Sequence, residues 1–232
     1  STSYPYRDGM VIKYSSTGEV EWAQGIGGTD NDYINSVSET TDGGYILGGY
    51  FDSSSIDLGN GVSLTKKGST SYIAGYIAGM IIKLEKTELP NPTVIQAQGI
   101  GGTKDDKITS VASTRDGGYI VGGYFLSSSI DLGNGVNLIS KGYCDGMIIK
   151  YSSSGEVEWA QGIGGEGGEY ITSVSETNDG GYIVGGYFGS SSIDLGNGIN
   201  LSFKGSSDGM IIKYSSSGEV EWAQGIGGEG GE

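Results

Sequence analysis

The sequence predicts an all-β repeat protein in which four-stranded antiparallel sheets are arranged as the blades of a β-propeller. A stretch typified by residues 208–228 occurs four times. The alanines of its Ala-Gln-Gly-Ile-Gly-Gly tails are 74, 63 and 63 residues apart: Ala23, Ala97, Ala160 and Ala223. A fixed period of this size indicates a repeat architecture. The chain also has 46 glycines, 3 prolines and apolar runs rich in Ile, Val and Tyr, which favour strands joined by tight turns.

The first element is a predicted β-hairpin, named strands C and D because of its place in the later units. Residues 10–14 read as strand C, residues 15–18 supply a Ser-Ser-Thr-Gly turn, and residues 20–24 alternate with a period of two. That alternation places Val20 and Trp22 on one face.

The next elements are a second hairpin and a smaller one. Strand A is predicted over residues 34–40 and strand B over residues 45–51, with an Asp-Gly turn between them. Residues 55–64 carry apolar residues on both sides of an Asn-Gly pair, which favours the positive φ angles of a type I′ turn. Each unit therefore runs A, B, small hairpin, C, D.

The repeats divide the chain into units. Residues 29–102 differ from the other units, with seven extra residues before strand C and four more in the C–D turn, which account for the 74-residue spacing. The expected order is a half-blade, a blade with insertions, two regular blades and the start of a further repeat: 1–28, 29–102, 103–165, 166–228 and 229–232. This order predicts a piece of a longer array whose first C–D hairpin has an unpaired edge, open to self-association.

Residue size along the unit favours a propeller over a linear solenoid. A four-stranded sheet is too small to bury a core alone, so neighbouring units must stack. Strand B carries glycine pairs at 48–49, 122–123 and 185–186, and small residues there allow close approach near a shared axis. The bulky residues of strands C and D are expected to pack between blades: Tyr14, Tyr151, Tyr214, Trp22, Trp159 and Trp222.

These residues also carry a family resemblance. The run Asp-Gly-Gly-Tyr-Ile-Val-Gly-Gly at 179–186, followed by a strand ending at Tyr214 and by Trp222, resembles the kelch-type blade. The Ser-Ile-Asp-Leu-Gly-Asn-Gly and Gly-Glu-Val-Glu-Trp-Ala motifs resemble the bacterial β-propeller repeat of secreted and cell-surface proteins, the SBBP type. The resemblance implies an extracellular bacterial setting and a binding or scaffolding role, with no shared active site. The insertion-bearing unit departs from it, with Gln96 in the tryptophan position and Leu84 in the tyrosine position.

The composition of the chain argues against several classes of partner and site. The formal net charge of −15 repels a phosphate backbone, so nucleic acid is not an expected partner. No apolar run approaches the roughly 20 residues that span a bilayer, and membrane insertion is not expected. The chain has no histidine, which removes the usual base of a hydrolytic triad and Cys/His zinc sites. Cys144 is the single cysteine and aligns with a serine of the next unit, so no reactive thiol is expected.

Carboxylates in the D–A connections could in principle act as catalytic acid–base pairs. They vary in type and position between units, and a glycosidase pair must flank one bond at a set separation. We therefore expect solvated loop charges and no enzymatic activity. The pairs concerned are Asp30 with Asp32, Asp105 with Asp106, and Glu166 with Glu169.

The candidate ligand-binding residues are three aspartates and two tyrosines. Asp57, Asp131 and Asp194 begin the Asp-Leu-Gly-Asn-Gly runs, for which turn geometry is the favoured interpretation and an oxygen-rich calcium site the alternative. Tyr72 and Tyr76 lie in the insertion of one unit, where their rings could stack on a sugar, although their surroundings also read as a duplication.

The sequence supports two hypotheses about function. The first is a non-enzymatic, extracellular or cell-surface bacterial module for adhesion, surface display or protein interaction, with no cofactor. The second is a lectin-like carbohydrate binder with one site per blade, which would gain avidity from multivalency. The expected partners are accordingly a protein or a glycan at a surface.

Overall fold

A computed structural model of the chain describes residues 6–66, 76–86 and 92–228. It contains twenty strands and no helix within those ranges, which confirms the predicted all-β class. Twelve strands form three four-stranded antiparallel sheets, and the other eight form four hairpins. The predicted unit of strands A, B, small hairpin, C and D is therefore present three times, after one C–D hairpin.

The N-terminal hairpin, named the half-blade, is the predicted first C–D pair. Strands β1 (Gly9–Tyr14) and β2 (Val20–Ile26) run antiparallel. Gly18 has a φ of 85°, a left-handed conformation that glycine adopts without a Cβ clash and that helps close the turn. A register shift between Lys13 and Tyr14 adjoins the turn, and the same irregularity recurs in every C–D pair.

The three full sheets, named blades I, II and III, all have the strand order A-B-C-D. Blade I consists of β3 (Asp32–Glu39), β4 (Tyr45–Phe51), β7 (Ala78–Glu85) and β8 (Thr93–Ile100). Blade II consists of β9 (Asp106–Ser113), β10 (Tyr119–Phe125), β13 (Asp145–Tyr151) and β14 (Val157–Ile163). Blade III consists of β15 (Glu169–Glu176), β16 (Tyr182–Phe188), β19 (Asp208–Tyr214) and β20 (Val220–Ile226).

A small two-stranded hairpin lies between strands B and C of every blade, as predicted. The pairs are β5 (Ser55–Asp57) with β6 (Ser63–Thr65), β11 (Ser129–Asp131) with β12 (Asn137–Ile139), and β17 (Ser192–Asp194) with β18 (Asn200–Ser202). Asn60, Asn134 and Asn197 have φ angles of 51–52°, and the glycine after each is also positive. Two positive φ angles in succession are what a type I′ turn requires, so the predicted Asn-Gly turn is confirmed.

The blades converge on their A strands. Asn35 Nδ2 of β3 donates to Ile108 O of β9 at 2.8 Å, and Thr109 Oγ1 of β9 donates to Ile171 O of β15 at 2.6 Å. The polar side chains of one A strand thus bond the backbone of the next A strand. This places the A strands together and leaves the D strands at the outer edges, which is the arrangement of propeller blades.

The glycine pair of strand B has two separate steric roles. A Cβ on Gly48 would lie 2.5 Å from Val111 Cγ1 of the next blade, so the first glycine makes room for the neighbouring A strand. A Cβ on Gly49 would lie 1.9 Å from Tyr33 O of the same blade, where the A–B register shifts. The first glycine therefore allows close approach of the next blade, and the second allows the irregular pairing of strands A and B.

The hydrophobic core lies between blades and not within any one of them. One cluster joins Ile46 and Ile81 of blade I to Ile108 and Val111 of blade II, and a second joins blade II to blade III. A third packs Val11 and other residues of the half-blade against blade I. Each sheet is therefore stabilised by its neighbours, as expected for stacked repeats.

The predicted packing of the bulky residues depends on which neighbouring blade each one faces: the strand C tyrosines contact the preceding blade, and Trp159 contacts the following blade. Trp159 is half-buried and rests on the C–D turn of blade III, where its Nε1 donates to Ser216 O at 3.1 Å. Tyr151 and Tyr214 are buried. For Trp222, which is 47% exposed, and for Tyr14, which is also exposed, the expectation was wrong, because no described strand covers their side of the sheet.

Candidate functional site

The three predicted aspartates occupy equivalent positions, one on each blade. Asp57, Asp131 and Asp194 each end the first strand of a small hairpin with an exposed side chain. Each accepts a hydrogen bond, at 2.8–2.9 Å, from the backbone N–H two residues further along. This bond is a local turn contact that orients the Leu-Gly-Asn-Gly run. It supports the turn interpretation of these residues.

Asp194 also borders a cleft at the junction of blades II and III. The cleft has a volume of about 250 Å³ and lies between strand β14 of blade II and the small hairpin of blade III. Lys141, Gln161 and Tyr214 contribute to its wall with Asp194. A cation, an amide and a carboxylate beside an aromatic ring can hydrogen-bond several hydroxyl groups of a small polar ligand.

The two predicted tyrosines add no described residue to the lining of this cleft. Tyr72 lies outside the described residues. Tyr76 is exposed and precedes strand β7, next to Ile77, whose N–H donates to Asp105 Oδ1 at 3.1 Å. The three aspartates lie on three different blades, so the candidate residues form repeated positions and not one convergent site.

The expectation that the carboxylates of the D–A linkers are solvated was wrong for one residue of each pair. Asp32, Asp106 and Glu169 are fully buried and occupy the same position in successive blades, so they are not solvated loop charges. Each accepts a hydrogen bond from a buried serine hydroxyl about twenty residues later in the chain: Ser53 at 2.7 Å, Ser127 at 2.7 Å and Ser190 at 2.5 Å. Sequence reasoning missed the serines because their link to the carboxylates appears only once strands A and B are paired.

These buried carboxylates hold the D–A linkers in place. Asp106 accepts from Gly102 N at 2.8 Å and from the N–H groups of Leu126 and Ser127 at 3.1 Å. Burial raises the pKa of the Asp106 carboxyl above its ordinary value, and the bond from the Ser127 hydroxyl and these backbone bonds oppose the rise. Because the hydrogen bonds join the start of strand A to the end of strand B, we assign the group a structural role.

A second set of ionic contacts surrounds the lysine of strand C. Lys150 is buried, and its Nζ lies 2.8 Å from Asp116 and 3.1 Å from Glu158 while it donates to Tyr151 O at 2.9 Å. Lys213 has the same three types of partner in blade III. These bonds join the A–B turn, strand C and strand D. The sequence feature that could have indicated these contacts is the lysine that recurs inside the apolar strand C of every unit.

The single cysteine is not placed for chemistry. Cys144 is buried beside the first residue of β13, and burial raises the pKa of its thiol to about 12. A thiol with that pKa is protonated at neutral pH, so it is a poor nucleophile. The expectation of an unreactive side chain agrees with this environment.

The two ends of the blade array expose apolar side chains that the interior buries. At the N-terminal end these include Met10, Tyr14, Val20 and Val37. At the C-terminal end they include Tyr187, Trp222 and Ile226. We name these the N-terminal and C-terminal end faces. Their residue types are the same as in buried blades, which is why the sequence alone did not distinguish them.

Residues 6–66, 76–86 and 92–228 contain neither a metal-binding cluster nor a membrane-spanning helix. In these ranges, no three His, Cys, Asp or Glu side chains lie together in a way that could hold a metal ion. No helix there has the length and apolar character needed to cross a bilayer. In comparisons with known proteins, no family model matches the chain and no curated protein matches it significantly.

Proposed function

We propose that the chain is a non-enzymatic binding module that acts in adhesion, surface display or protein interaction. The observation that carries the proposal is the pair of apolar end faces. Ile226 is 52% exposed, whereas its equivalents Ile26, Ile100 and Ile163 are at most 2% exposed. Exposed apolar patches on a soluble protein mark surfaces for association.

The extracellular bacterial setting is part of this proposal and rests on the resemblance to SBBP-type and kelch-type repeats. The acidic composition is compatible with it, because a large net charge keeps an edge-rich β protein soluble. Partners at a surface would meet the end faces, and near-identical units provide a rigid spacer between them.

The test is to display the chain on a non-adherent bacterium and to measure cell aggregation and attachment. We expect displayed chains to increase both. A variant with Met10→Ser, Val20→Thr and Trp222→Ser should lose the increase, while Ile139→Ser, which changes an exposed apolar residue outside the end faces, should retain it. Equal behaviour of the two variants, or no increase with the unchanged chain, would contradict the proposal.

The alternative is a lectin-like binder, favoured by the polar cleft at the junction of blades II and III. Its lining provides hydrogen-bond donors and acceptors of the kind that sugars require, and equivalent small hairpins occur on all three blades. Calorimetric titration across a glycan panel tests this reading. Saturable sugar binding that Gln161→Ala weakens would support it, and the same affinity in both proteins would remove the cleft from consideration.

A further inference from the structure

The interfaces between blades follow one steric rule, seen twice. Val111 of β9 and Val174 of β15 are each 5% exposed and fill a gap above the first glycine of strand B in the preceding blade. A Cβ on Gly48 would lie 2.5 Å from Val111 Cγ1, and a Cβ on Gly122 would lie 2.6 Å from Val174 Cγ1. A valine on strand A thus requires a glycine on the neighbouring strand B.

The N-terminal end face has the valine without the glycine. Val37 occupies the position of Val111 and Val174 on strand A of blade I, yet it is 53% exposed. The half-blade that precedes blade I consists, in the described residues, of strands C and D alone. Strand B is therefore missing at the place where the rule requires it.

A groove lies at that place. Its volume is about 290 Å³, and it runs between strand β1 and strand β3. It is lined on one side by residues 10–12 and on the other by residues 34–37, which include Val37. In the described residues β1 pairs with β2 on one edge, whereas the equivalent strands β7, β13 and β19 also pair with a strand B. The free edge of β1 can accept a strand by backbone pairing.

Lys13, which follows the groove-lining residues of β1, also differs from its copies in the blades. In each blade the strand C lysine contacts the aspartate of the A–B turn: Lys83 with Asp42 at 3.8 Å, Lys150 with Asp116 at 2.8 Å, and Lys213 with Asp179 at 3.2 Å. Lys13 contacts Glu21 of its own hairpin at 2.8 Å, and the described part of the half-blade contains no A–B turn. A hairpin with an aspartate in its turn would provide the second carboxylate.

We propose that this groove binds a β-hairpin of the repeat's own A–B type. The register follows from blade III, where Tyr182 pairs with Tyr214 and Gly185 with Ile211. The incoming tyrosine lies opposite Tyr14, the first incoming glycine lies opposite Val11, and Val37 packs on that glycine. The inference deepens the proposed function, because the groove belongs to the N-terminal end face, and it names the class of partner.

The experiment uses a labelled peptide of residues 169–189, the A–B hairpin of blade III, titrated with the full chain and followed by fluorescence anisotropy. Since an isolated hairpin is marginally stable, a backbone-cyclised form is tested in parallel. We expect saturable one-to-one binding. The peptide with Gly185→Val should bind at least about tenfold more weakly, because its new side chain occupies the space of Val37.

Two chain variants locate the binding end. Val37→Asp should weaken binding by at least about tenfold, and Gly185→Val in the chain should leave binding unchanged, because it alters the opposite end face. No saturable binding by either form of the peptide, equal affinity of the peptide with Gly185→Val, or unchanged binding to the Val37→Asp chain would overturn the proposal. If displayed cells fail to attach while the peptide binds, only the proposed function fails.

Discussion

The half-blade hairpin and its copy in blade II differ at two of nineteen positions, yet they experience different environments. The stretches that begin at Asp8 and Asp145 differ only by Val against Ile and Thr against Ser. Both have a left-handed glycine in the turn and the same register shift beside it. Tyr14 is nevertheless 56% exposed, whereas Tyr151 is 0% exposed and stacks on Tyr119 with ring centroids 4.9 Å apart.

Hairpin formation and side-chain burial have different causes in this chain, one local and one long-range. Turn residues and alternation are enough to form the hairpin, because the bonds that close it join residues close in sequence. Tyr151 is buried by strand B of its own blade and by blade I, which precedes it. In the described residues the half-blade has neither neighbour. The same side chain is therefore core in one copy and surface in the other.

The largest expected effect tests this difference at the tyrosine. Tyr151→Ala should lower the free energy of unfolding by about 3–5 kcal/mol, because it removes a buried ring and leaves a cavity. Tyr14→Ala should change it by about 0.5 kcal/mol or less, because the ring is mostly in solvent. Chemical denaturation of both variants measures the difference, and equal losses would show that the half-blade is as well packed as blade II.

The glycine of strand B offers a matched pair between interior and end. Gly122→Val should cost about 1–3 kcal/mol, because the new side chain overlaps Val174 and Ile171. Gly185→Val should be close to neutral, since no atom outside the neighbouring residues lies within 4 Å of a Cβ placed there. Thermal unfolding of the two variants gives the comparison. A loss of stability at Gly185 like that at Gly122 would mean that the C-terminal end face is covered in solution.

The strand C lysine should show the same contrast with a smaller magnitude. Lys150→Met removes a buried ammonium that bonds two carboxylates and a carbonyl, and we expect a loss of about 1–3 kcal/mol. Lys13→Met removes one surface ion pair, and a smaller loss is expected because solvent screens an exposed pair. Denaturation at low and high salt tests both variants, and only the small Lys13 effect should disappear in salt.

The smallest effect concerns the pH dependence of stability. A bond from the Thr40 hydroxyl and one from the Gly44 N–H hold the pKa of Asp42 below its ordinary value of 3.8. The unfolded chain then binds more protons between the two pKa values, so this stability is present above pH 3.8 and is lost as pH falls below it. The pH dependence contributed by Asp106 has the opposite sign. Burial raises the pKa of its carboxyl, so its contribution to folding stability falls as pH rises above 3.8.

Carboxyl titration by NMR checks both directions. Asp42 should titrate below pH 3.8 and Asp106 above it. Thr40→Val should move the Asp42 midpoint back towards 3.8 and leave that of Asp106 in place. Midpoints in the reverse order would show that the Asp42 turn or the buried Asp106 linker is assigned the wrong environment.

Much of the fold could be predicted from the sequence, and less of the candidate site. Strand B at Tyr45–Phe51 was predicted at its observed limits, because an Asp-Gly-Gly turn precedes it and β-prone residues continue on both sides of the Gly-Gly pair up to Phe51. The Asn60 turn was also predicted, since few residues other than Asn and Gly adopt two positive φ angles. The buried role of Asp32 was missed, because its partner Ser53 lies after strand B, 21 residues away in the chain.

The sequence by itself determined the repeat, the order of strands within each unit and the turns, because these depend on contacts between residues close in the chain. The tertiary structure alone decided which copies are buried, which carboxylates are structural and where the ends of the array are exposed. Identical residues such as Trp159 and Trp222 differ only in what packs against them. Burial depends on neighbours, and a repeated sequence does not state which of its copies has one.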